Sequence, residues 1–145
     1  MKKSLLFVVL LIITACQNRA SKTNNIRPLL EEDQIEFAKK ISDKILNAQK
    51  NGDFYELSDN EATKNMVNGL NTSVQKSSYA QIKSLYGDYN NLEFHSVEHI
   101  NRGEDYAIFR FKGEFESGLD IEIRAVLNKQ VKLAGFFVKP WQDKL

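Results

Sequence analysis

The spacing of apolar residues changes along the chain and divides the sequence into a helical half and a strand half. From Glu32 to about residue 86, apolar side chains recur every three or four positions, as they do in amphipathic helices. After Gly87 the period becomes two, which is typical of strands with one buried face. The sequence therefore predicts an α+β domain in which helices precede a curved, four-stranded antiparallel sheet and pack on one of its faces.

Three helices are predicted in the first half. The first covers residues 33–50, with Asp33 placed to cap it and Asn51-Gly52 placed to end it. A short second helix is predicted over residues 61–70 and a third over residues 74–86. Residues 17–31 are polar and lack a sustained period, which favours a flexible tether.

Four strands are predicted in the second half, over residues 92–100, 106–115, 119–127 and 131–141. The first has no cleanly apolar face, so we expect a bulge in it. The second and third alternate cleanly between apolar and polar positions. The fourth is apolar on both faces beyond its first residues, so both sides should be covered, or one should meet a partner.

The loop "ESG" joins the second and third strands, and its length sets their pairing. A three-residue loop with Gly118 in the left-handed conformation is a common hairpin closure. It would bring two arginines face to face, which is tolerable if the Glu122 carboxylate lies diagonally between them. The predicted pairs are Phe115–Leu119, Phe111–Ile123, Lys112–Glu122 and Arg110–Arg124.

A mixed-charge face follows from this register on the outer side of the sheet. Its bland interpretation is a solvated surface with cross-strand ion pairs, and its sharper interpretation is a polar contact surface for another protein. The residues of this face are Arg110, Lys112, Glu114, Glu122 and Arg124.

The register of the last strand decides which of its aromatic residues face outward. If Leu127 pairs with Val131, then Leu133 and Phe137 face the first helix. Ala134, Phe136 and Val138 would then point away from the helices.

An apolar stripe on the outer sheet face would result from that register. Phe136 and Val138 would lie next to Ile108 and Val126, and such stripes often mark association sites. The alternative is that the tether or the C-terminal turn covers them. Trp141 is expected to cap the bottom of the core, or else to form the aromatic lip of a ligand site.

The N-terminus reads as a cleavable leader. Lys2 and Lys3 precede the apolar run "SLLFVVLLIITA". As a helix this run spans only about 18 Å, at about 1.5 Å per residue, against the ~30 Å of a bilayer core. A short positive region followed by a short apolar region is typical of a signal peptide.

The leader ends in Ile13-Thr14-Ala15-Cys16, which resembles the lipobox of bacterial lipoproteins. The resemblance implies cleavage between Ala15 and Cys16, and palmitate-type acylation of Cys16. More than one acyl chain is needed for stable anchoring in a bilayer. The alternative is an ordinary secretory signal with an incidental cysteine.

Three parts of the chain follow from this assignment. Residues 1–15 form the leader, residues 16–31 the lipidated N-terminus and tether, and residues 32–145 one α+β domain. In lipoprotein sorting, a residue other than aspartate after the cysteine favours the outer membrane. Gln17 therefore favours the outer over the cytoplasmic membrane as the anchoring site in the cell envelope, by that resemblance.

Composition narrows the function classes. Cys16 is the one cysteine, so the mature domain has neither a disulfide nor a free thiol nucleophile. Loss of Lys2 and Lys3 with the leader leaves 18 basic and 19 acidic residues. This balance gives no strong field for nucleic acid, so no nucleic-acid partner is predicted.

His95 and His99 lie four positions apart, a spacing that on a helix could hold a metal. In a strand these residues lie about 13 Å apart and cannot share one ion. We therefore predict no metal site and no cofactor.

Three segments together carry a family resemblance: "NGDF" after the first helix, "YAQIKSLYGDY", and the closing "VKLAGFFVKPW". With the order of helices and strands, they look like the cone-shaped domain of the nuclear transport factor 2-like (cystatin-like) superfamily. More narrowly, they resemble small bacterial lipoproteins of that fold whose function is uncharacterised. The resemblance covers about residues 33–141 and implies a sheet curled around the first helix, with a pocket or a filled core between them.

Some domains of that superfamily are enzymes that use Asp, His or Tyr inside the cone, and many only bind ligands or partners. In this chain the candidates for proton transfer by resemblance are Tyr86, Asp88, Tyr89 and Tyr106. No paired carboxylates, Ser–His pair or phosphate-binding glycine loop appears in the sequence, so we assign no catalytic residue.

The prediction is therefore a membrane-anchored envelope lipoprotein that acts as a non-catalytic binding or interaction module. Its expected partners are the bilayer, through acylated Cys16, and an envelope protein or a small apolar ligand. A small enzyme with a polar residue inside the cone is one alternative. A structural protein that forms homodimers through the sheet is another.

Acylation of Cys16 can be tested by labelling cells with a palmitate analogue. The wild-type chain should incorporate the label, and Cys16→Ser should not, because the substitution removes the sulfur that carries the lipid. Equal labelling of the two chains, or none in wild type, would contradict the anchor.

Overall fold

The computed structural model describes residues 26–144, with side chains from residue 31 onward. The leader, Cys16 and the first part of the predicted tether lie outside the described residues. Three helices precede four strands, which confirms the predicted α+β class. The elements are α1 (Ile26–Asn51), α2 (Lys64–Gly69), α3 (Thr72–Tyr86), β1 (Tyr89–Asn101), β2 (Asp105–Phe115), β3 (Ile121–Asn128) and β4 (Leu133–Pro140).

Helix α1 begins at Ile26 rather than at Asp33, so Asp33 lies inside the helix and does not cap it. Residues 26–31, which the sequence assigned to the tether, are helical. Pro28 does not prevent this, because an N–H in the first turn has no partner within the helix. The predicted end is confirmed: Gly52 has φ of 79°, and its N–H donates to the Gln49 carbonyl at 3.1 Å.

Helices α2 and α3 are confirmed, and side-chain caps set their starts. Thr63 Oγ1 accepts a hydrogen bond from the Met66 N–H at 3.3 Å. Asn71 Oδ1 accepts one from the Val74 N–H at 3.1 Å. Each bond satisfies a donor in the first turn that the helix itself leaves unpaired. In the described residues no helix is both long and apolar enough to span a membrane.

The four strands form an antiparallel meander in the order β1-β2-β3-β4. The β2–β3 register is the predicted one: Phe111 faces Ile123, Lys112 faces Glu122, and Gly118 closes the turn with φ of 68°. The expected bulge in β1 is also present. The register of β1 shifts twice, between Tyr89 and Asn91 and between Phe94 and Ser96, where His95 is the extra residue.

The core lies between α1 and one face of the sheet. Helix α1 contacts β1, β2 and β3, α2 contacts β4, and α3 packs on α1. Phe109 and Phe111 are completely buried in this layer, so large side chains fill the space under the helix. The main core residues are Ala38, Ile41, Ile45, Leu46, Leu92, Phe109, Phe111, Phe115, Ile121, Ile123, Ala125, Leu127 and Leu133.

The predicted register of β4 is wrong. Leu127 pairs with Leu133, not with Val131, and a bulge separates this pair from Val126–Gly135. Val131 lies instead in the β3–β4 turn with φ of 58°, a conformation that β-branched residues seldom adopt. The turn is thus longer than the sequence pattern indicated.

The bulge exchanges the two faces of β4. Phe136 and Val138 are partly buried and pack against the core, so they do not form an outward stripe. Phe137 points away from the core and is 53% exposed. The outward apolar position of this strand is therefore Phe137.

Two buried glutamines differ in how their amides are satisfied. Gln75 is 1% exposed; its Oε1 accepts from the Tyr55 N–H at 3.2 Å, and its Nε2 donates to the carbonyls of Tyr55 and Leu70. Gln49 is 2% exposed, and its Oε1 has no partner among the described residues. A buried acceptor without a donor destabilises the folded state.

Substitution of each glutamine by methionine should therefore have opposite effects. Gln49→Met should raise the free energy of unfolding by about 1 kcal/mol, because it removes an unsatisfied amide and keeps the volume. Gln75→Met should lower it by about 2 kcal/mol or more, because it leaves three backbone groups without a hydrogen-bond partner. Urea denaturation of the two variants measures both, and destabilisation of equal size in both would contradict this account.

Candidate binding face of the sheet

The sheet face opposite α1 carries a buried ion pair between neighbouring strands. Arg110 of β2 and Glu122 of β3 approach to 2.5 Å, Nε to Oε1, and their side chains are 3% and 0% exposed. Arg124 Nε lies 2.7 Å from the same oxygen. Glu122 thus lies between the opposed arginines, as the register predicted, and it neutralises their repulsion.

The C-terminal segment covers this pair. The backbone N–H of Trp141 donates to the Asp120 carbonyl at 2.9 Å, which holds the segment against the β2–β3 turn. The guanidinium of Arg110 lies 4.8 Å from the centre of the Trp141 ring and also donates to the Gln142 carbonyl. With these contacts, the Arg110 and Glu122 side chains have almost no exposure to solvent.

Two predictions about this face are therefore wrong. Trp141 does not cap the bottom of the core, because it lies over Arg110 and Lys112 and its ring centre is 4.6 Å from that of His95. The predicted cross-strand ion pairs are present on this face, but the face is not fully solvated, since Arg110 and Glu122 are buried. Apolar alternation alone did not reveal that a tail would cover the charges.

The protonation of Glu122 follows from its partners. Burial by itself would raise the pKa of Glu122, but hydrogen bonds from Arg124 and Arg110 outweigh it and hold the pKa below the ordinary value of 4.5. Arg110, hydrogen-bonded to Glu122, has a raised pKa despite its burial. The cluster is therefore ionised at neutral pH.

An apolar recess adjoins the ion pair on the same face, with a volume of about 410 Å³. Ile108 and Val126 lie in it as predicted, and Phe137 takes the place that the sequence gave to Phe136 and Val138. We call this feature the outer recess. Its lining consists of Ile100, Arg102, Tyr106, Ile108, Arg124, Val126, Ala134, Gly135, Phe137 and Lys139.

The charged groups in the lining of the outer recess are all cationic: Arg102, Arg124 and Lys139. Lys139 Nζ lies 3.7 Å from Glu122, which Arg124 also contacts. Arg102 is exposed in the β1–β2 turn and forms no ion pair with any other side chain in residues 31–144. The recess thus combines an apolar floor with a positive rim.

The two histidines do not form a common site. His95 packs against Trp141, whereas His99 pairs with Ala107, whose side chain belongs to the core face. Among the residues that the structure describes, no group of three or more His, Cys, Asp or Glu side chains is arranged to hold a metal ion.

The proton-transfer candidates do not form one site. Tyr89 and Tyr86 both pack on the Phe115 ring, at 5.6 and 6.1 Å between ring centres. Asp88 accepts a hydrogen bond from Tyr79 at 2.6 Å. Tyr106 pairs with Ile100 at the other end of the β1–β2 hairpin. The structure therefore does not bring the four candidates into one site.

The environments of these groups favour structural roles. Burial, and then its hydrogen bond to Asp43, raises the pKa of Tyr89, so its hydroxyl stays protonated. Hydrogen bonds from Tyr79 and Lys83 lower the pKa of Asp88, so it stays ionised. Neither group is held near neutral pH, where general acid–base catalysis is most effective.

Comparison with known proteins found no matching family model, no matching curated protein and no matching solved structure. The resemblance to nuclear transport factor 2-like lipoproteins stays a prediction.

Sequence reasoning did not assign several lining residues of the outer recess to this face, among them Ile100, Arg102, Phe137 and Lys139. The alternation of Phe137 and Lys139 was visible in "FFVK", but their face depended on the bulge at the start of β4. Arg102 lies in a turn, where no periodic signal indicates direction.

The ion pair should be a large determinant of stability. Glu122→Gln removes the carboxylate from two buried or half-buried arginines, and it should lower the free energy of unfolding by about 3 kcal/mol at pH 7. Because the folded-state pKa of Glu122 is lowered, its contribution is present above 4.5 and is lost as the pH falls through the lowered value. The difference in the free energy of unfolding between wild type and Glu122→Gln should therefore become smaller below pH 4.5.

The matched control is Glu114→Gln, which makes the same change at an exposed position of β2. It should alter the free energy of unfolding by no more than about 0.5 kcal/mol. Equal stabilities for the two variants in urea denaturation at pH 7 would show that the pair is unimportant.

Proposed function

We propose that this chain is a lipid-anchored envelope protein that acts as a non-catalytic binding module, with the outer recess as its binding site. In this proposal the acylated Cys16 attaches it to a membrane, with the outer membrane favoured by Gln17. The domain then presents the sheet face opposite α1 to a ligand or to another envelope protein.

The observation that carries the proposal is the outer recess itself. It is concave, apolar on its floor and bordered by oriented polar groups, which are the usual properties of small-molecule sites. Phe137 is 53% exposed within it. An exposed aromatic side chain in a concave, apolar setting gains much from being covered by a partner.

The rigidity of the surroundings supports binding at this place. The buried bridge between Arg110 and Glu122 joins β2 to β3 beside the recess, and Arg124 extends the bridge to the recess wall. A wall that is fixed before binding loses less conformational entropy on binding.

The filled core favours binding over the alternative of catalysis inside the cone. Phe109 and Phe111 are completely buried where the sheet meets α1. An enzyme of the cone type would need a ligand cavity lined by a titratable group in that layer.

A second candidate is a structural dimer. Phe137 lies on β4, which is an edge strand, and exposed edges with apolar side chains favour pairing with another chain. In that case the occupant of the outer recess would be a second copy of this chain.

Native mass spectrometry of the protein isolated from its own host distinguishes these functions. We expect a bound species on the wild-type chain that Phe137→Asp removes, because the aspartate places a charge in the apolar floor. Leu119→Asp is the matched control, since Leu119 is 56% exposed and lies outside the recess. It should retain the species.

The mass of the bound species identifies the function. A small molecule or another protein supports the binding module, and a second copy supports the dimer. A bare monomer for the wild-type chain, or equal loss of the bound species in both variants, would contradict binding at the outer recess.

A further inference from the structure

We propose that the outer recess binds a single-chain anionic amphiphile, namely a free fatty-acid carboxylate, with the chain on the apolar floor and the carboxylate on the cationic rim. This inference rests on the proposed function and specifies its ligand.

The positive rim is only partly neutralised within the protein. Glu122 serves three cations at once: Arg110 at 2.5 Å, Arg124 at 2.7 Å and Lys139 at 3.7 Å. Glu98 adds one further carboxylate at 3.3 Å from Arg110. The ion-pair cluster therefore contains two carboxylates and three cations, and Arg102 is a further cation beside it.

Arg102 raises this imbalance and is placed to bind a head group. It lines the recess and forms no ion pair among the side chains described. Two acidic residues lie close to this end, and both carboxylates have other partners: Glu104 accepts a hydrogen bond from Tyr106 at 3.2 Å, and Asp105 accepts one from Asn101 at 2.6 Å. A guanidinium can bind a carboxylate through two parallel hydrogen bonds, which makes Arg102 the expected contact for the head group.

The floor fits an alkyl chain rather than a second charged or polar group. Apolar side chains from all four strands line it, and the largest are Ile100, Ile108, Val126 and Phe137. They lie across the strands, so an extended chain can contact one after another. A volume of about 410 Å³ is within the range of ligand sites of roughly 300–1,000 Å³.

Charge complementarity separates this ligand from the other occupants. A neutral alkyl chain would leave the cationic rim without a partner, and a cationic amphiphile would be repelled by it. The face of a bilayer is nearly flat, whereas the apolar side chains here line a recess, which suits a single free chain.

Isothermal titration calorimetry with decanoate, below its micelle-forming concentration, tests the proposal. The chain beginning at Gln17 is suitable, because every core residue lies between Ala38 and Leu133. Decanoate should bind, decanol should bind at least about tenfold more weakly, and decyltrimethylammonium should not bind, since one charge-assisted contact contributes about a factor of ten or more.

Binding measurements on variants test whether the ligand lies in the outer recess. Arg102→Gln should weaken decanoate binding about tenfold and leave decanol binding unchanged. Phe137→Ser should weaken both. Lys76→Gln is the matched control for Arg102→Gln, because Lys76 is exposed on α3, outside the recess, and loses the same charge.

The outcomes keep the two proposals distinct. Equal affinity for decanoate and decanol, or equal loss in Arg102→Gln and Lys76→Gln, would overturn the anionic ligand. So would binding to phosphatidylglycerol vesicles without binding of decanoate. If decanoate fails but Phe137→Asp still removes a species in native mass spectrometry, the recess binds something else and the proposed function stands.

Discussion

The buried carboxylate of Glu122 is the constraint on which the outer side of this protein depends. An ionised group without exposure to water must be neutralised and hydrogen-bonded by its neighbours. Arg110 supplies this from β2 and Arg124 from β3 itself. Trp141 then covers Arg110, so the last strand, the C-terminal segment and the two central strands are held in one arrangement.

The two faces of the sheet differ in how they are covered and stabilised. The side under α1 is apolar and filled, and its stability comes from burial of large side chains such as Phe109 and Phe111. The other side is only partly covered. The C-terminal segment covers Arg110 and Glu122, and the outer recess beside it is open around Phe137. One side therefore holds the domain together, and the other presents an organised surface to its surroundings.

Sequence reasoning succeeded where the pattern is local and failed where it depends on tertiary contacts. Alternation across "ESG" predicted the β2–β3 register and the diagonal position of Glu122, because the period of two leaves one pairing that matches both faces. The predicted face of Phe137 was wrong. A bulge that follows the unusual turn at Val131 shifts the pairing of β3 and β4 by one residue and so exchanges the two faces of β4. The position of Trp141 depends on a cation–π contact, which leaves no periodic signal.

The ion-pair cluster is difficult to explain by stability alone. A well-packed apolar group of similar size is often as stabilising as a buried ion pair, or more so, because charges lose their hydration when they are buried. Here the cluster also carries more cations than carboxylates, and the surplus borders an apolar recess. A positive rim that the protein neutralises only in part raises the free energy of the empty domain, and an anion bound there would lower it. The proposed binding of an anion would account for this surplus charge, which stability alone does not explain.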